Sequence, residues 1–244
     1  MQNIFKNLNT QQIEATTATE GYVRIIAGAG SGKTKTLTYR YAYLVNAAGI
    51  HPGNILCVTF TAKAAGEMKR RVRALVGEGC DNSLITTYHG FCVRVLREDI
   101  HRLLYPQSFG ILDESDQKKI LEEIYGELEI KLDRATFEKI LDRIHKIKSD
   151  ENYVMPLIQG DVQAVPMQGD DTEREVIRRY LARQKKVFGL DFDDLIAFTF
   201  ALFERYPETR DKWAQRLYYI EVDEFQDSSR RELRLLQILS AAHQ

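Results

Sequence analysis

Residues 27–34 read AGAGSGKT, so that three glycines alternate with small residues ahead of a lysine and a threonine. A loop that wraps around a phosphate needs inward-pointing backbone N–H groups, and glycine leaves room for that approach. Lys33 is placed to reach the outer phosphates of a nucleoside triphosphate, and Thr34 offers a hydroxyl to Mg²⁺. The pattern predicts a phosphate-binding loop made of Ala27, Gly28, Ala29, Gly30, Ser31, Gly32, Lys33 and Thr34.

A second stretch, Asp223-Glu224-Phe225-Gln226-Asp227, places paired carboxylates directly after an apolar run at 217–222. Acidic residues at the carboxyl end of a parallel strand lie in the crevice where such sheets bind ligands. We expect Asp223 to hold Mg²⁺, directly or through water, and Glu224 to polarise the water that attacks the γ-phosphate. Adjacent carboxylates repel each other unless a cation lies between them, so a metal explains the pair. ATP and Mg²⁺ are therefore the predicted ligands.

Short apolar strands and helices alternate around these two stretches. Strands are predicted at 22–27, 54–60, 83–87 and 217–222, and a helix at about 33–46. This alternation predicts an α/β fold, with a parallel sheet that carries helices on both faces. Between about 91 and 189 the strand pattern disappears, and helices are predicted at roughly 90–104, 115–126, 134–148 and 172–188. We therefore predict one α/β domain formed by 1–90 and 190–244, interrupted by an all-α insertion at 91–189.

Composition sets broad limits on the class of protein. The chain has 244 residues, of which 44% are hydrophobic and 28% charged, as in ordinary globular proteins. The net charge of −1 argues neither for nor against nucleic acid as a partner. Cys57, Cys80 and Cys92 form neither a metal-type pair nor a disulfide framework. Without an apolar run of membrane-spanning length or a signal peptide, a cytoplasmic location is expected.

Aromatic, hydroxyl and basic residues follow two of the predicted strands. Thr59-Phe60-Thr61 comes after the strand at 54–60 and leads into a helix that carries Lys63, Lys69, Arg70, Arg71 and Arg73. Thr86-Thr87-Tyr88-His89-Gly90 ends the next strand. Bases stack on exposed rings, and phosphates take hydroxyls, amides and cations, so both clusters suit single-stranded nucleic acid. A solvated amphipathic helix would give the same basic pattern.

Together these motifs resemble, in order and over almost the whole chain, the N-terminal portion of superfamily 1 DNA helicases of the UvrD/Rep/PcrA type. Residues 8–15 (LNTQQIEA) resemble the adenine-reading motif, and 27–34 resemble motif I. Residues 59–68 (TFTAKAAGEM) resemble motif Ia, 86–90 (TTYHG) motif Ib and 222–229 (VDEFQDSS) motif II. Two shorter signatures, 109–113 (FGILD) and 191–195 (DFDDL), fall around the helical insertion.

The resemblance implies a RecA-like ATP-binding motor domain and assigns roles within it. It places Lys33, Asp223, Glu224 and Gln226 in catalysis, and Gln12 and Lys35 beside the base of ATP. It assigns DNA contacts to Phe60, Thr61, Lys63, Thr87, Tyr88 and His89. The chain departs from the family pattern at Ala62, where asparagine is usual, and at Lys35, where arginine is frequent. Glu221 is a charged residue in a strand that we expect to be buried.

The resemblance also implies a longer protein. The chain stops at Gln244, before the family's next motif and its second motor domain. We expect the longer helicase to move 3′ to 5′ on single-stranded DNA, to act at single/double-strand junctions and to unwind duplex in DNA repair or replication. We expect this chain alone to hydrolyse ATP poorly and not to unwind DNA. Three alternatives stay open: the helicase subunit of a helicase–nuclease, a translocase that does not unwind, and a non-catalytic module that keeps the nucleotide site as a switch.

Overall fold

The computed structural model describes residues 5–28, 30–80 and 82–243. Its elements are, in chain order, α1 (Thr10–Thr17), α2 (Lys33–Asn46), β1 (Ile55–Val58), α3 (Ala62–Val76), β2 (Leu84–Thr86), α4 (Tyr88–Asp99), β3 (Gly110–Ile111), α5 (Glu114–Glu127), α6 (Arg134–Lys148), α7 (Val154–Gln159), α8 (Asp171–Lys186), β4 (Gly189–Leu190), α9 (Phe192–Arg205), α10 (Pro207–Arg216), β5 (Tyr219–Val222) and α11 (Arg230–Ser240). Among the described residues, no helix combines the length and apolar character needed to span a bilayer.

The chain folds into two compact units. The first contains Met1–Phe91 and Arg210–Gln244, and the second, the helical unit, contains Cys92–Thr209. The helical unit therefore extends beyond 189, where we predicted the insertion to end. It takes in α9, because that helix packs against α6 and α7. The predicted boundary followed the last helix predicted before 190, whereas the packing of α9 shows that the unit continues beyond it.

A parallel three-stranded sheet in the order β2-β1-β5 lies at the centre of the first unit. Ile55 and Cys57 of β1 pack into a cluster with residues of α2 and α3. Leu56 and Val58 point to the opposite face, because side chains alternate along a strand, and they are buried as well. A strand covered on both faces reads as a continuous apolar run, which is why β1, β2 and β5 were predictable.

The register brings the ends of the three strands to one edge of the sheet. Val58 of β1 lies opposite Thr86 of β2 and opposite Val222 of β5. The N–H of Asp223 donates to the carbonyl oxygen of Val58 at 2.9 Å, and that of Thr59 donates to Thr86 at 2.9 Å. The residues that follow each strand therefore leave the sheet side by side.

The strand predicted at 22–27 is not formed. Residues 22–28 have no strand structure, and Tyr22 and Ile26 are 82% and 81% exposed. The sequence pattern reports β propensity, but a strand also needs a neighbour that accepts its backbone hydrogen bonds. Among the described residues, β5 pairs with β1 alone, and no strand pairs with this segment. The prediction of a buried strand before the glycine-rich loop is therefore wrong for this structure.

The helical unit packs α5, α6, α7, α8 and α9 against one another. It is not strictly all-α, because β3 and β4 form a short parallel pair with Gly110 opposite Gly189. The two short signatures found in the sequence lie here and begin helices. Asp113 caps the N-terminus of α5, and Asp191 caps that of α9. Their carboxylates accept N–H groups that a helix start leaves unpaired.

A charged cluster is buried inside the helical unit. Lys148 is fully buried, and its ammonium group donates to Asp191 Oδ2 at 2.6 Å and to Asp194 Oδ2 at 2.7 Å. Gln184 accepts from Lys148 at 3.0 Å, and the hydroxyl of Tyr153 donates to Asp194 at 2.9 Å. Because a buried charge is tolerated only when it is paired, this cluster ties α6 to the start of α9.

Candidate functional site

The glycine-rich loop leads directly into α2. Gly32 is the N-cap of this helix and has φ of 90°, a left-handed conformation that glycine adopts without strain. A Cβ at Gly32 would also lie 3.0 Å from Gln12 Nε2. No side chain caps α2, so the first N–H groups of this helix point toward the loop without a capping partner. This terminus can hold an anion. Ala29, which we predicted to be part of the loop, lies outside the described residues.

Two contacts join the loop to the residues after β5. Lys33 Nζ lies 3.5 Å from Glu224 Oε2, and Thr34 Oγ1 donates to Asp223 Oδ2 at 3.3 Å. These residues are far apart in sequence, and the fold brings all four together at the start of α2. Glu224 has φ of 49°, a left-handed conformation that costs a non-glycine residue about 1–3 kcal/mol.

The two carboxylates are in different environments. Burial raises the pKa of Asp223, and the neighbouring charge of Glu224 raises it further. The pKa of Glu224 is lowered, first by the amide of Gln226, which donates to Oε2 at 2.7 Å, and then by the Lys33 ammonium. A cation at Asp223 would reverse the shift there, because it favours the ionised carboxylate. Glu224 is ionised at neutral pH, as a group that polarises water must be.

The oxygen atoms of Thr34 and Asp223 fit a magnesium ion. Both are hard donors, and they lie 3.3 Å apart at the mouth of the loop. Mg²⁺ is usually held by one or two protein carboxylates together with substrate phosphates and water, and not by a cage of protein ligands. Consistent with this, the described part of the chain contains no group of three or more His, Cys, Asp or Glu residues suited to a metal.

Gln12 stands beside the loop at the start of α1. Its Oε1 accepts the N–H of Asn9 at 3.1 Å, while Asn9 Oδ1 accepts the N–H of Gln12 at 2.8 Å. This reciprocal cap fixes the carboxamide so that Nε2 donates to the carbonyl oxygen of Ser31 at 3.1 Å. Lys35 also turns toward the N-terminal segment, where its ammonium donates to Asn7. Both predicted base-side residues therefore lie next to the loop.

The partner of Glu221 is an arginine from α2. Glu221 is buried in β5, and its Oε1 lies 3.4 Å from Arg40 Nε. Burial raises the pKa of Glu221, and the guanidinium of Arg40 opposes that shift. Arg40 itself is buried and donates through Nη1 to Ala15 at 3.0 Å and also to Ala18. This contact could not be predicted from the sequence, because nothing in its motifs relates position 40 to position 221.

The first strand-end cluster presents an aromatic ring and a basic helix to solvent. Phe60 is 58% exposed, and Thr61 caps α3 by accepting the N–H of Ala64 at 3.1 Å. Lys63, Lys69 and Arg70 are exposed on α3. Glu67, the acidic residue of this helix, pairs with Arg71. The helix keeps its apolar residues buried, so its basic side chains line the outer face.

The second cluster is arranged differently. Tyr88 is buried, and its hydroxyl lies 2.8 Å from Oγ of Ser228, the residue that follows Asp227. Thr87 Oγ1 accepts the N–H of Gly90 at 3.1 Å, and His89 is half-buried. Tyr88 therefore offers no free ring face in this structure and instead links β2 to the residues after β5. Contacts of these residues with DNA stay a prediction.

Several basic residues of the helical unit have acidic or carbonyl partners. Lys118, Lys119, Lys146 and Arg179 form ion pairs on the surface of the unit. Lys148 is buried, and Lys185 donates to carbonyl oxygens at the end of α7. These residues resemble solvated or structural charges more than a phosphate-binding stripe.

Comparison with known proteins identifies the family to which this chain belongs. The model of the UvrD/REP helicase N-terminal domain matches residues 8–244. The chain belongs to this family. A UvrD/REP relative from Staphylococcus epidermidis, named ATP-dependent DNA helicase PcrA, is 39% identical over 240 residues. The protein of the same name from Staphylococcus aureus is 36% identical over 244 residues.

The matches to these UvrD/REP relatives cover 98% and 99% of this chain but 32% of each relative. The chain thus spans about a third of their length. The structure brings the predicted residues Lys33, Thr34, Asp223 and Glu224 together, and their role in nucleotide binding stays a prediction. Sequence reasoning missed two supporting residues. Ser228 and Arg40 make contacts between distant elements, and only three-dimensional packing identifies them.

Proposed function

We propose that this chain is the ATP-binding motor domain of an ATP-dependent DNA helicase of the UvrD/REP family. The observation that carries the proposal is the convergence of Lys33 with Glu224 and of Thr34 with Asp223 at the N-terminus of α2. A switch module that only binds nucleotide would need the loop and the metal ligands. It would not need an ionised glutamate beside them.

The triphosphate would lie on the loop at the start of α2. The uncapped N–H groups of that helix attract the β-phosphate, and Lys33 reaches the γ-phosphate by exchanging its carboxylate partner for a phosphate oxygen. The carboxamide of Gln12 offers a donor and an acceptor to the adenine edge, next to the point where the loop enters the helix. Lys35 lies on the same side.

Hydrolysis would use the residues after β5. Glu224 accepts a proton from the attacking water, and the amide of Gln226 holds the Glu224 carboxylate in place. Thr34 and Asp223 would hold Mg²⁺, which would neutralise charge on the β- and γ-phosphates. The left-handed backbone at Glu224 turns its carboxylate away from the strand and toward Lys33.

Single-stranded DNA would bind along the same edge of the sheet. Phe60 supplies an exposed ring for base stacking, and the exposed side chains of Thr61 and Lys63 can contact phosphates. β1 and β5 are paired side by side. The proposed DNA-binding residues after β1 and the proposed catalytic residues after β5 therefore follow adjacent strands. The N–H of Asp223 donates to the carbonyl oxygen of Val58 in β1. A change of bound nucleotide at Asp223 would therefore reach β1 through a single hydrogen bond.

We further propose that a second motor domain, in a protein of the relatives' length, supplies the charge that stabilises the transition state. An arginine provided in this way is worth about 10³–10⁵ in rate in other phosphoryl-transfer systems. This chain alone would then bind ATP and hydrolyse it slowly. Movement from 3′ to 5′, action at single/double-strand junctions and unwinding belong to the longer protein. A helicase–nuclease subunit and a non-unwinding translocase would use the same residues.

The test measures binding of a fluorescent ATP analogue to this chain by anisotropy, with Mg²⁺ and with EDTA. We expect Mg²⁺ to tighten binding to the wild-type chain and to have little effect on Thr34→Val. Thr38→Val is the matched control, because its hydroxyl donates to the backbone carbonyl oxygen of Thr34 at 2.7 Å, whereas that of Thr34 donates to Asp223. Equal Mg²⁺ dependence in all three proteins would contradict the proposed site.

A further inference from the structure

Arg40 joins three elements of the nucleotide site. It lies on α2, two turns after the loop lysine, and is 7% exposed. Its Nη1 donates to the carbonyl oxygens of Ala15 and Ala18 at the end of α1. Its Nε faces Glu221 of β5 at 3.4 Å. One guanidinium thus connects the helix that carries Gln12 with the strand that leads to Asp223.

The helix that carries Gln12 has little apolar anchoring of its own. α1 is 8 residues long, and Thr16 is its buried residue. A helix of this length is unstable without packing, and most helical stability in proteins comes from a buried apolar face. α1 packs against α2, and polar contacts add to that packing. They are the Gln12–Ser31 bond at its start and the Arg40 bonds at its end.

The chemistry of arginine suits this position. The last carbonyl groups of a helix lack intrahelical partners, and a cation there is favoured by the helix dipole. The Nη1 nitrogen of the guanidinium donates to two carbonyl oxygens, while its Nε nitrogen faces Glu221. A lysine has a single ammonium group and cannot place donors at both positions. Glu221 supplies the acidic group that a buried cation needs.

We propose that Arg40 is a positioning residue for base selectivity: it fixes α1 so that the Gln12 carboxamide stays beside the loop. This inference rests on the proposed ATP site and extends it to a residue that does not touch the nucleotide. Gln12 reads the base, and Arg40 determines where Gln12 stands. Loss of Arg40 therefore costs discrimination between bases and spares the attraction for the triphosphate.

The experiment measures competition by ATP, GTP and inorganic tripolyphosphate against a fluorescent nucleotide on this chain. We expect the wild-type chain to prefer ATP over GTP. Arg40→Met should lower that preference about tenfold, the cost of the base hydrogen bonds, while the affinity for tripolyphosphate stays the same. Arg40→Lys should lower the preference for ATP over GTP by an intermediate factor. Arg210→Met is the matched control, because Arg210 pairs with its neighbour Asp211 on the surface of α10.

A double mutant separates positioning from general stability. If Arg40 acts through Gln12, the chain with both Arg40→Met and Gln12→Ala should have the same ATP/GTP ratio as Gln12→Ala alone. Full selectivity in Arg40→Met, or in Arg40→Lys if the methionine variant does not fold, would overturn this inference and leave the ATP site intact. Additive losses in the double mutant would also overturn it. A wild-type chain that binds ATP and GTP equally would overturn the proposed adenine site itself.

Discussion

Lys33 Nζ lies 3.5 Å from Glu224 Oε2, so the cation of the glycine-rich loop and the carboxylate that follows β5 neutralise each other. Both side chains are about a third exposed, and an ion pair of this kind is worth roughly 0–1 kcal/mol. In the proposed site, ATP would compete with Glu224 for Lys33. The proposed catalytic carboxylate would therefore weaken ground-state binding to a small extent.

Glu224→Gln should separate binding from hydrolysis. The amide keeps the shape of the side chain but cannot accept a proton, so turnover should fall to background. It also releases Lys33, so ATP should bind about two- to fivefold more tightly. Nucleotide titration and a phosphate-release assay would measure the two effects. Normal turnover in this variant would refute the role of Glu224 as base. In the same titration, Lys33→Ala should lose binding of the nucleotide.

Phe60→Ala should weaken binding of single-stranded DNA by about 1–3 kcal/mol if the exposed ring stacks on a base as proposed. The loss should be similar for oligo-dT and mixed sequences, since every base has a face to stack. Tyr218→Ala is the matched control: its ring is also exposed, but it precedes β5 at the opposite edge of the sheet. Equal losses in both variants, measured by anisotropy, would show that Phe60 has no special role.

Lys148→Met should destabilise the helical unit by about 3–5 kcal/mol. It leaves Asp191 and Asp194 buried without their cation, and removal of one partner from a buried ion pair is costly. Lys146→Met, two residues away on the same helix, removes an exposed pair with Asp142 and should change stability by less than about 0.5 kcal/mol. Urea unfolding followed by circular dichroism distinguishes the two, and similar midpoints would contradict the assignment.

The stability of the helical unit should depend on pH through His145. Its contact with Asp193 raises the pKa of the imidazole above the usual value. Because the folded-state pKa is the higher one, the contact contributes fully below pH about 6.5 and is lost as pH rises through the folded-state pKa. His145→Gln should therefore lower the urea midpoint more at pH 5.5 than at pH 8.5. A pH-independent difference, or the same profile in His101→Gln, would argue against this.

The sequence predicted the parts of the site that depend on local geometry. A glycine-rich turn before a helix and carboxylates after an apolar strand have few other structural solutions, so the proximity of Lys33, Thr34, Asp223 and Glu224 could be predicted. The strands 54–60, 83–87 and 217–222 were predictable for the same reason. Their apolar runs are long enough to be read without knowledge of their neighbours.

The sequence failed where the outcome depends on distant partners. The segment 22–27 has the composition of a strand but no pairing partner among the described residues. Tyr88 resembled an exposed ring until packing placed its hydroxyl against Ser228. Lys148 carries no sequence signal of burial, because Asp191 and Asp194, which pair with its ammonium group, lie at the start of another helix.

The outer edge of β5 has a consequence for the behaviour of this chain in solution. An edge strand exposes a row of N–H and C=O groups that can template pairing with a second molecule, and this is a recognised route to aggregation. β5 is short, and Glu221 places an inward-pointing acidic side chain at its centre, two features that natural proteins use to discourage such pairing. Arg40, the partner of that side chain, therefore also bears on whether the chain stays monomeric at high concentration.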